Sequence, residues 1–363
     1  MTRAFLHSEA DARFGQARID AIHTLGALAL THNASFIVVA GDVFESNQLS
    51  EQTLMRALDA LAQVPVPVFL LPGNHDPLDG ASIFDSPAFA QCAENIIVIR
   101  DQVPLPVPGL NQVEVLGAPW RSKHPSEDLC AMLAAVAPPN PGTLRIAVAH
   151  GQVDVMAPDV SRPEIIDLAT AERALQDGHF HYLGLGDRHS VTAVGDSGRI
   201  WFSGAPVATA FDEQRPNHAL LVALDHNDCT VTELATGAWR FVSEHRNINS
   251  AADVEQLRTW LAQLPGKECT AVKISFEGSV NLTTDAELAT LMEQQAPLFA
   301  SLKRRERTSD LAILPDTLDQ DSVSLSGYAQ QTWNELQAQA LNGDEEARDA
   351  LRLLYRLSGQ GTS

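Results

Sequence analysis

The sequence predicts an α/β protein in which two β-sheets form a sandwich flanked by helices. An apolar, β-branched run at residues 35–40, a helical segment at 50–63 and a second apolar run at 66–71 form a strand–helix–strand unit, which is typical of a parallel sheet. Residues 200–234 then contain further short strands and a polar hairpin turn, which indicate a second sheet.

The other elements of this region follow the same signals. Apolar residues recur at three- and four-residue steps from Glu9 to Leu30, which predicts a first helix. The proline-rich stretch 103–109 is interpreted as a connection. Short apolar runs predict strands at residues 95–99, 113–117, 144–150 and 182–186.

Length and composition are those of an ordinary globular protein. A chain of 363 residues is long for one core and predicts two or three domains. Hydrophobic residues make up 45% and charged residues 20%. The sequence has no long apolar membrane segment and no apolar signal core at its N-terminus, and its cysteines form no CxxC pair. We therefore expect a cytoplasmic protein with reduced thiols and no membrane partner.

The formal net charge of −21 restricts how the chain could bind nucleic acid. Phosphate contacts need Lys and Arg, so the charge argues against general, non-specific affinity for nucleic acid. It does not exclude a nuclease in which bound cations meet the phosphates. Any DNA contact must be local or shared with a partner.

Polar side chains of three kinds follow the apolar run at 66–71. The run ends at a Pro-Gly pair, and Asn74, His75 and Asp76 come next. In an open α/β sheet, ligands bind in the crevice outside the carboxyl ends of the strands, which favours a functional site. An ordinary strand-ending turn is the alternative, because Pro, Gly, Asn and Asp are common turn residues.

Similar residues end three other strands. Asp42 follows the first strand, where it could cap the next segment or point into the same crevice. His150 ends a later strand, and Asp187 and His189 follow the next one. Because side chains alternate in an extended segment, Asp187 and His189 should share one side. The repetition favours one shared site.

The chain beyond residue 242 has strand and helix signals of its own. A helix at 252–264, a strand at 270–276 and a helix at 285–299 predict a small α+β domain. Lys303–Arg307 is a concentrated basic run, which either forms a solvated face or contacts phosphate.

Two further helices, Tyr328–Leu341 and Glu345–Leu357, predict a C-terminal helical hairpin. Their apolar surface could pack back on the body or bind a partner, and the pattern does not separate the two. We predict three parts, with boundaries at 1–242, 243–320 and 321–363.

The strand-end motifs together resemble those of the calcineurin-like metallophosphoesterases, and in particular the DNA-repair exonucleases with SbcD-like and YhaO-type nuclease subunits. The resemblance covers residues 13–206 well, and more loosely the α+β part, which is similar to that family's DNA-capping domain, and the tail, which is similar to its ATPase-binding helices. It implies the metallophosphoesterase fold. The motifs that carry it are Gly41-Asp42, Gly73-Asn74-His75-Asp76, His150-Gly151 and Gly186-Asp187-Arg188-His189.

The resemblance implies hydrolysis of phosphodiesters by two divalent metal ions. Oxygen and imidazole ligands without thiolate suit Mn²⁺ best, with Mg²⁺ or Fe²⁺ as alternatives. By resemblance, His75 is the catalytic proton donor or charge stabiliser, and Asp76 is catalytic by holding the tautomer of His75. By resemblance, the metal ligands are Asp42, Asn74, His150 and Asp187 for one ion, and Asp42 and His189 for the other.

Two features depart from the family pattern. Where the family has Gly-His-x-His, this chain has Asp187 in the place of the first His, and Asp187 could bind the ion or orient a neighbouring histidine; we predict that it is a ligand. The family also opens with a strand carrying Asp-x-His, or Gln in place of that His, which serves the ion of His189. This chain runs directly into a helix, with His7, Glu9 and Asp11 at the helix start. We therefore expect the first strand to be missing from this chain and its activity to be poor without those ligands.

The leading hypothesis is a Mn²⁺-dependent nuclease that acts on DNA ends in double-strand-break repair. The resemblance implies 3′ to 5′ exonuclease activity with endonuclease action in addition, a coiled-coil SMC-like ATPase as partner, and a homodimer. One alternative is a phosphodiesterase or phosphatase for small phosphate esters. Another is a metal-poor, non-enzymatic scaffold that holds the ATPase.

Overall fold

The structure is a computed structural model that describes residues 6, 8–314, 327–341, 344, 346–347, 350–351 and 353–354. It divides into two compact units. The first comprises Ala12–Trp239, and the second comprises the described residues from Arg240 onward together with Leu6 and residues 8–11.

The strands and helices that were predicted up to the boundary between the units are observed in the predicted order, together with further short elements. Ser50 caps the second helix, where its hydroxyl accepts a hydrogen bond from Thr53 N at 3.2 Å. The elements are α1 (Ser8–Thr31), β1 (Ile37–Val39), α2 (Glu51–Ala62), β2 (Val68–Leu70), α3 (Pro87–Ala90), β3 (Ile96–Val98), β4 (Leu105–Pro106), β5 (Val113–Gly117), α4 (Leu129–Ala134), β6 (Leu144–His150), α5 (Leu168–Gln176), β7 (Tyr182–Gly186), β8 (Thr192–Val194), β9 (Ile200–Phe202), β10 (His218–Leu224) and β11 (Cys229–Ala235).

Two sheets of the first unit pack face to face. One is a parallel sheet in the order β1-β2-β3, and the other has six strands in the order β4-β5-β6-β7-β9-β8. Side chains of both sheets form one buried cluster, to which β2 contributes Phe69 and the six-stranded sheet contributes Val115 and Val148. The two sheets therefore enclose a core between them.

Helices cover the outer faces of this sandwich. Because side chains alternate along β2, Val68 and Leu70 face away from the inner core and pack with residues of α1 and α2. On the far side of the six-stranded sheet, α4 and α5 contribute Leu133 and Ala171 to a third cluster. The result is four layers, helix–sheet–sheet–helix, and the predicted two-sheet sandwich flanked by helices is confirmed.

The detailed pairing differs from prediction in two places. The stretch 103–109, predicted as a connection, contains β4, which pairs antiparallel with β5 at the sheet edge. An edge position suits Pro106, because proline has no N–H to donate to a second neighbour. The strands predicted for one second sheet are divided: β9 joins β7 in the six-stranded sheet, whereas β10 and β11 form a separate hairpin.

The second unit is built on a four-stranded parallel sheet. Its elements are β12 (Arg240–Asn247), α6 (Ala251–Gln263), β13 (Thr270–Asn281), α7 (Leu282–Gln295), β14 (Ser301–Arg304), β15 (Asp310–Leu314) and α8 (Tyr328–Leu341). β13 lies at the centre of the sheet and pairs with β12, β14 and β15. Apolar residues of β13 pack with α6 and α7, including Phe276 with Leu257 and Leu291.

The tail is described in part. The observed α8 has the bounds predicted for the first tail helix. The second predicted helix, Glu345–Leu357, lies partly outside the described residues. Trp333 and Leu351 are buried, whereas Tyr328 is 85% exposed. In the described part of the chain, the helices are too short or too polar to cross a membrane.

Candidate metal centre

The loops after β1 and β2 meet at the carboxyl ends of these neighbouring strands. Asp42 adopts a left-handed backbone conformation, with φ of 52°, and its Oδ1 accepts a hydrogen bond from His75 N at 2.9 Å. A side chain on Gly73 would overlap the Asp42 carboxylate, so this close approach requires glycine. The capping alternative for Asp42 is not realised, because α2 begins later and is capped by Ser50.

The six-stranded sheet brings His150 to the same place from the other side. His150 is 1% exposed, and its Nδ1 lies 2.9 Å from Ala40 O in the loop after β1. Side chains on Gly41 or Gly186 would overlap the His150 ring or Ala40 O. The site therefore lies between the two sheets, and these glycines allow the sheets' loops to touch.

Hydrogen-bond acceptors converge at this point. His150 Nδ1 faces a carbonyl, so in the neutral ring it carries the proton and leaves Nε2 with a lone pair. That Nε2 lies 2.8 Å from Asn74 Oδ1 and 3.4 Å from Asp42 Oδ2, and Asp187 Oδ1 is 3.9 Å away. Asn74 Oδ1 faces only acceptors in this orientation. In this orientation of the amide, the Asn74 oxygen, the Asp42 carboxylate and the His150 Nε2 lone pair face one another with no proton between them, and a bound cation would satisfy all three.

The donor set also fits a divalent metal chemically. Carboxylate and amide oxygens with one imidazole suit Mn²⁺, Mg²⁺ or Fe²⁺. Rotation of the Asn74 amide would instead turn its NH₂ group toward Asp42 and His150, which satisfies the same contacts without a cation. In the part of the chain that the structure describes, no three His, Cys, Asp or Glu side chains are grouped so as to hold a metal ion by themselves. The Asn74 amide is thus needed to complete the set.

Asp42 and His150 stabilise each other's charged forms. Burial acts to raise the pKa of Asp42, but the hydrogen bond and charge of His150 outweigh it, so the pKa lies below its ordinary value. Burial acts to lower the pKa of His150, and Asp42 outweighs this and raises it. Asp42 is therefore held as a carboxylate, and the site favours positive charge beside it, either on a protonated His150 or on a cation that binds the Nε2 of the neutral ring.

His189 occupies a different environment from the other predicted ligands. Its Nδ1 lies 2.8 Å from Glu213 Oε1 and 2.7 Å from Thr209 Oγ1. The hydrogen bond to Glu213 raises the pKa of His189, and Asp187 and Asp42 add to the effect through their charges. The ring therefore lies within electrostatic range of the converging acceptors.

Glu213 and Thr209 were not among the predicted site residues. Glu213 follows His189 by 24 positions in a loop that has no strand-end pattern, so no sequence signal marks it. Its side chain is only 5% exposed. Burial acts to raise the pKa of Glu213, but hydrogen bonds from His189 and Thr209 outweigh it and lower the pKa. Glu213 is thus held as a buried carboxylate.

The contacts of His75 and Asp76 correct the role predicted for Asp76. His75 Nδ1 lies 3.1 Å from Glu45 O, so this backbone carbonyl, and not Asp76, sets the tautomer. Asp76 is fully buried and accepts hydrogen bonds from Gly73 N at 2.7 Å and Phe44 N at 2.9 Å. Burial raises the pKa of Asp76 to about 6, against the effect of these hydrogen bonds. Asp76 therefore joins the loops after β1 and β2 by accepting hydrogen bonds from both. It does not orient the His75 ring.

Carboxylate, amide and imidazole groups thus meet at strand ends of a four-layer α/β sandwich, and they are groups that a divalent metal can bind. The chain belongs to the calcineurin-like phosphoesterase family, whose model matches residues 12–222. Members of this family hydrolyse phosphoesters with divalent metals, so the predicted calcineurin-like family and the predicted hydrolase class are confirmed, and the DNA-repair exonuclease branch stays a prediction.

The other comparisons add little. No match is found among the curated proteins. Among the solved structures that match, one crystal structure aligns with a TM-score of 0.39 and 14% identity, over 61% of this chain and 95% of that chain. This likeness is too low to bear on fold or function.

Proposed function

We propose that the chain is a Mn²⁺-dependent nuclease that hydrolyses phosphodiesters at DNA ends during double-strand-break repair, beside a coiled-coil SMC-like ATPase. The observation that carries the proposal is the convergence of the Asp42, Asn74 and His150 side chains in a member of a phosphoesterase family. Mg²⁺ and Fe²⁺ are alternatives to Mn²⁺.

The chain's own groups have separable roles in this proposal. Asp42, Asn74 and His150 would hold a cation, with Asp187 and His189 as further ligands. When bound, a divalent cation stabilises negative charge on the phosphoryl group as a Lewis acid. These residues thus bind the cation that stabilises the charge of the phosphoryl group, and a different side chain must transfer the proton.

His75 is placed to move a proton. Its Nδ1–H is directed at Glu45 O, which leaves Nε2 to exchange a proton with the leaving oxygen of the substrate. Nε2 lies 4.0 Å from Asp42 Oδ2, and the side chain is 49% exposed. The ring is therefore beside the candidate metal centre and open to a substrate.

A row of cations on the second unit supports a polyanionic substrate. Lys273 on β13 stands directly opposite both Lys303 on β14 and Ser243 on β12, so these three side chains share one face of the sheet. Arg305 Nη1 donates to Ser243 Oγ at 3.3 Å and joins the row. Desolvation lowers the pKa of Lys273, and the charges of Arg305 and Lys303 lower it further.

Like charges directly opposite each other on a sheet are destabilising. A phosphate backbone is complementary to cations that share one face of a sheet, and this row stands out in a chain whose net charge is −21. Of the two interpretations of the basic run, phosphate contact is thus the one we propose, and it favours DNA over small phosphate esters.

The central test is degradation of end-labelled duplex DNA with Mn²⁺ by the wild type and by His75→Ala. We expect His75→Ala to lower kcat by roughly 10²–10⁴-fold, which is the usual contribution of a positioned proton donor, with Mn²⁺ affinity unchanged. His32→Ala, which removes an exposed histidine at the end of α1, should act as the wild type.

Three outcomes would contradict the proposal. Equal activity of His75→Ala and wild type would remove His75 from the reaction. Hydrolysis of a chromogenic phosphodiester without action on DNA would favour small phosphate esters. No hydrolysis of either substrate, together with retained binding of an SMC-like ATPase, would favour the scaffold.

The cation row makes a separate prediction about DNA binding. Lys303→Ala should weaken binding of duplex DNA and reduce the slope of log K against log salt by about 1, since one phosphate contact is lost. Fluorescence anisotropy across a range of salt concentrations measures both quantities. Lys123→Ala, which removes an exposed lysine elsewhere, is the matched control. Identical slopes for the two variants would exclude the row as a phosphate-binding surface.

A further inference from the structure

The His189 ring is held by a pair of side chains from the loop that follows β9. Thr209 Oγ1 donates to Glu213 Oε1 at 2.5 Å, and Thr209 N donates to Glu213 Oε2 at 2.9 Å. Because the single hydroxyl proton of Thr209 goes to Glu213, its oxygen accepts from His189. Both neighbours of His189 Nδ1 are therefore acceptors, and this nitrogen carries a proton.

The opposite nitrogen of His189 is left for a different partner. In a neutral imidazole ring whose proton is on Nδ1, Nε2 keeps its lone pair. A histidine that binds a metal usually donates its other N–H to a carboxylate or a carbonyl, which orients the ring and makes the ligand more basic. Glu213 and Thr209 accept the N–H of His189 Nδ1 in this way.

Other residues hold the backbone of the same loop. Asn217 Oδ1 accepts from Ala208 N at 2.8 Å, and its Nδ2 donates to Trp239 O at 2.8 Å. Ser190 Oγ accepts from Gln214 N at 3.0 Å. These contacts anchor the loop on both sides of Glu213, and the Glu213 carboxylate itself is shared between Thr209 and His189.

We propose that Glu213 is a positioning residue which, together with Thr209, fixes the Nδ1–H tautomer and the orientation of His189 and thereby directs Nε2 to a divalent cation. The proposal rests on the proposed function in one respect, the role of His189 as a ligand. It assigns to the site two residues that the strand-end motifs do not contain.

The test measures Mn²⁺ binding to the whole chain in the absence of DNA, by electron paramagnetic resonance of free Mn²⁺. Loss of such an orienting group typically costs about 10–100-fold in metal affinity, and we expect this weakening in Glu213→Gln at the site that His189→Ala also weakens. The matched control is Glu233→Gln, which removes the β11 carboxylate that forms an ion pair with Arg215. This variant should bind Mn²⁺ as the wild type does.

A second measurement separates positioning from a purely structural role. Nitrogen NMR of histidine-labelled protein should show His189 as the Nδ1–H tautomer in the wild type and as a mixture of tautomers in Glu213→Gln. If Glu213→Gln fails to fold, Thr209→Val gives the same test, because it removes one of the two acceptors and keeps the carboxylate. We expect Thr209→Val to weaken Mn²⁺ binding less than His189→Ala does.

The proposal is overturned if the foldable variant keeps both wild-type affinity and the wild-type tautomer, or if His189→Ala leaves Mn²⁺ binding unchanged. The proposed function can fail separately. A wild type that binds Mn²⁺ through His189 and Glu213 but degrades no DNA would refute the nuclease and leave the role of Glu213 intact.

Discussion

Replacement of Asp42 by asparagine is expected to lower DNA hydrolysis by roughly 10³-fold or more, because metal charge stabilisation is worth several kcal/mol and each 1.36 kcal/mol is a factor of ten in rate. Asp42 is the carboxylate nearest the converging acceptors, with Oδ2 3.4 Å from His150 Nε2. Asparagine keeps an oxygen for the hydrogen bond from His75 N, so the loop geometry should survive while the charge is lost.

The measurement is Mn²⁺ titration followed by degradation of end-labelled duplex DNA. Asp101→Asn is the control, since it removes an exposed loop carboxylate that accepts from Val103 N. Mn²⁺ affinity should fall in Asp42→Asn alone. If Asp42→Asn kept both its Mn²⁺ affinity and its rate of DNA hydrolysis, the group formed by Asp42, Asn74 and His150 would not be the catalytic metal site.

Gly186→Ala is expected to destabilise the first unit by about 3 kcal/mol, the upper part of the usual range for overpacking. A side chain here would overlap Ala40 O and approach His150 Nδ1 to 2.7 Å. Backbone on one side and a buried ring on the other leave no flexible group that could move aside. The thermal midpoint should fall by about 6–12 °C for a domain of this size.

Gly184→Ala is a matched control on the same strand. A side chain at Gly184 would meet Tyr182 Cε1 at 3.7 Å, which is ordinary van der Waals contact. Its thermal midpoint should stay near that of the wild type. Equal midpoints for the two variants would mean that the close approach between β7 and the loop after β1 does not constrain the site.

Sequence patterns were sufficient for the strands that carry the site. Continuous apolar runs that end at Gly or at a ligand-type residue define β2, β6 and β7, and β6 has the predicted bounds Leu144–His150. Buried parallel strands lack polar alternation, so their ends are sharp in the sequence. The elements α3, α4, α5, β8, β12, β14 and β15 were not predicted, although Asp167 marks the start of α5 by accepting a hydrogen bond from Thr170 N.

The role of Asp76 shows where local pattern fails. A carboxylate next to a histidine in sequence predicts that it holds that histidine. In the structure, the Asp76 carboxylate is buried and accepts hydrogen bonds from two backbone N–H groups. The His75 ring is instead held by a backbone carbonyl, that of Glu45. Sequence neighbours in a tight turn point in different directions, so adjacency does not determine contact.

The sequence by itself determined the family and which side chains end the strands, because hydrophobic runs and the residues that stop them are local properties. Only the tertiary structure decided that Asp42 and Asn74 come from one sheet and His150 and Asp187 from another, and that Glu213 holds His189. The physical reason is that these contacts depend on how two sheets pack face to face. That packing depends on side chains from many separate segments, and no single stretch of the chain encodes it.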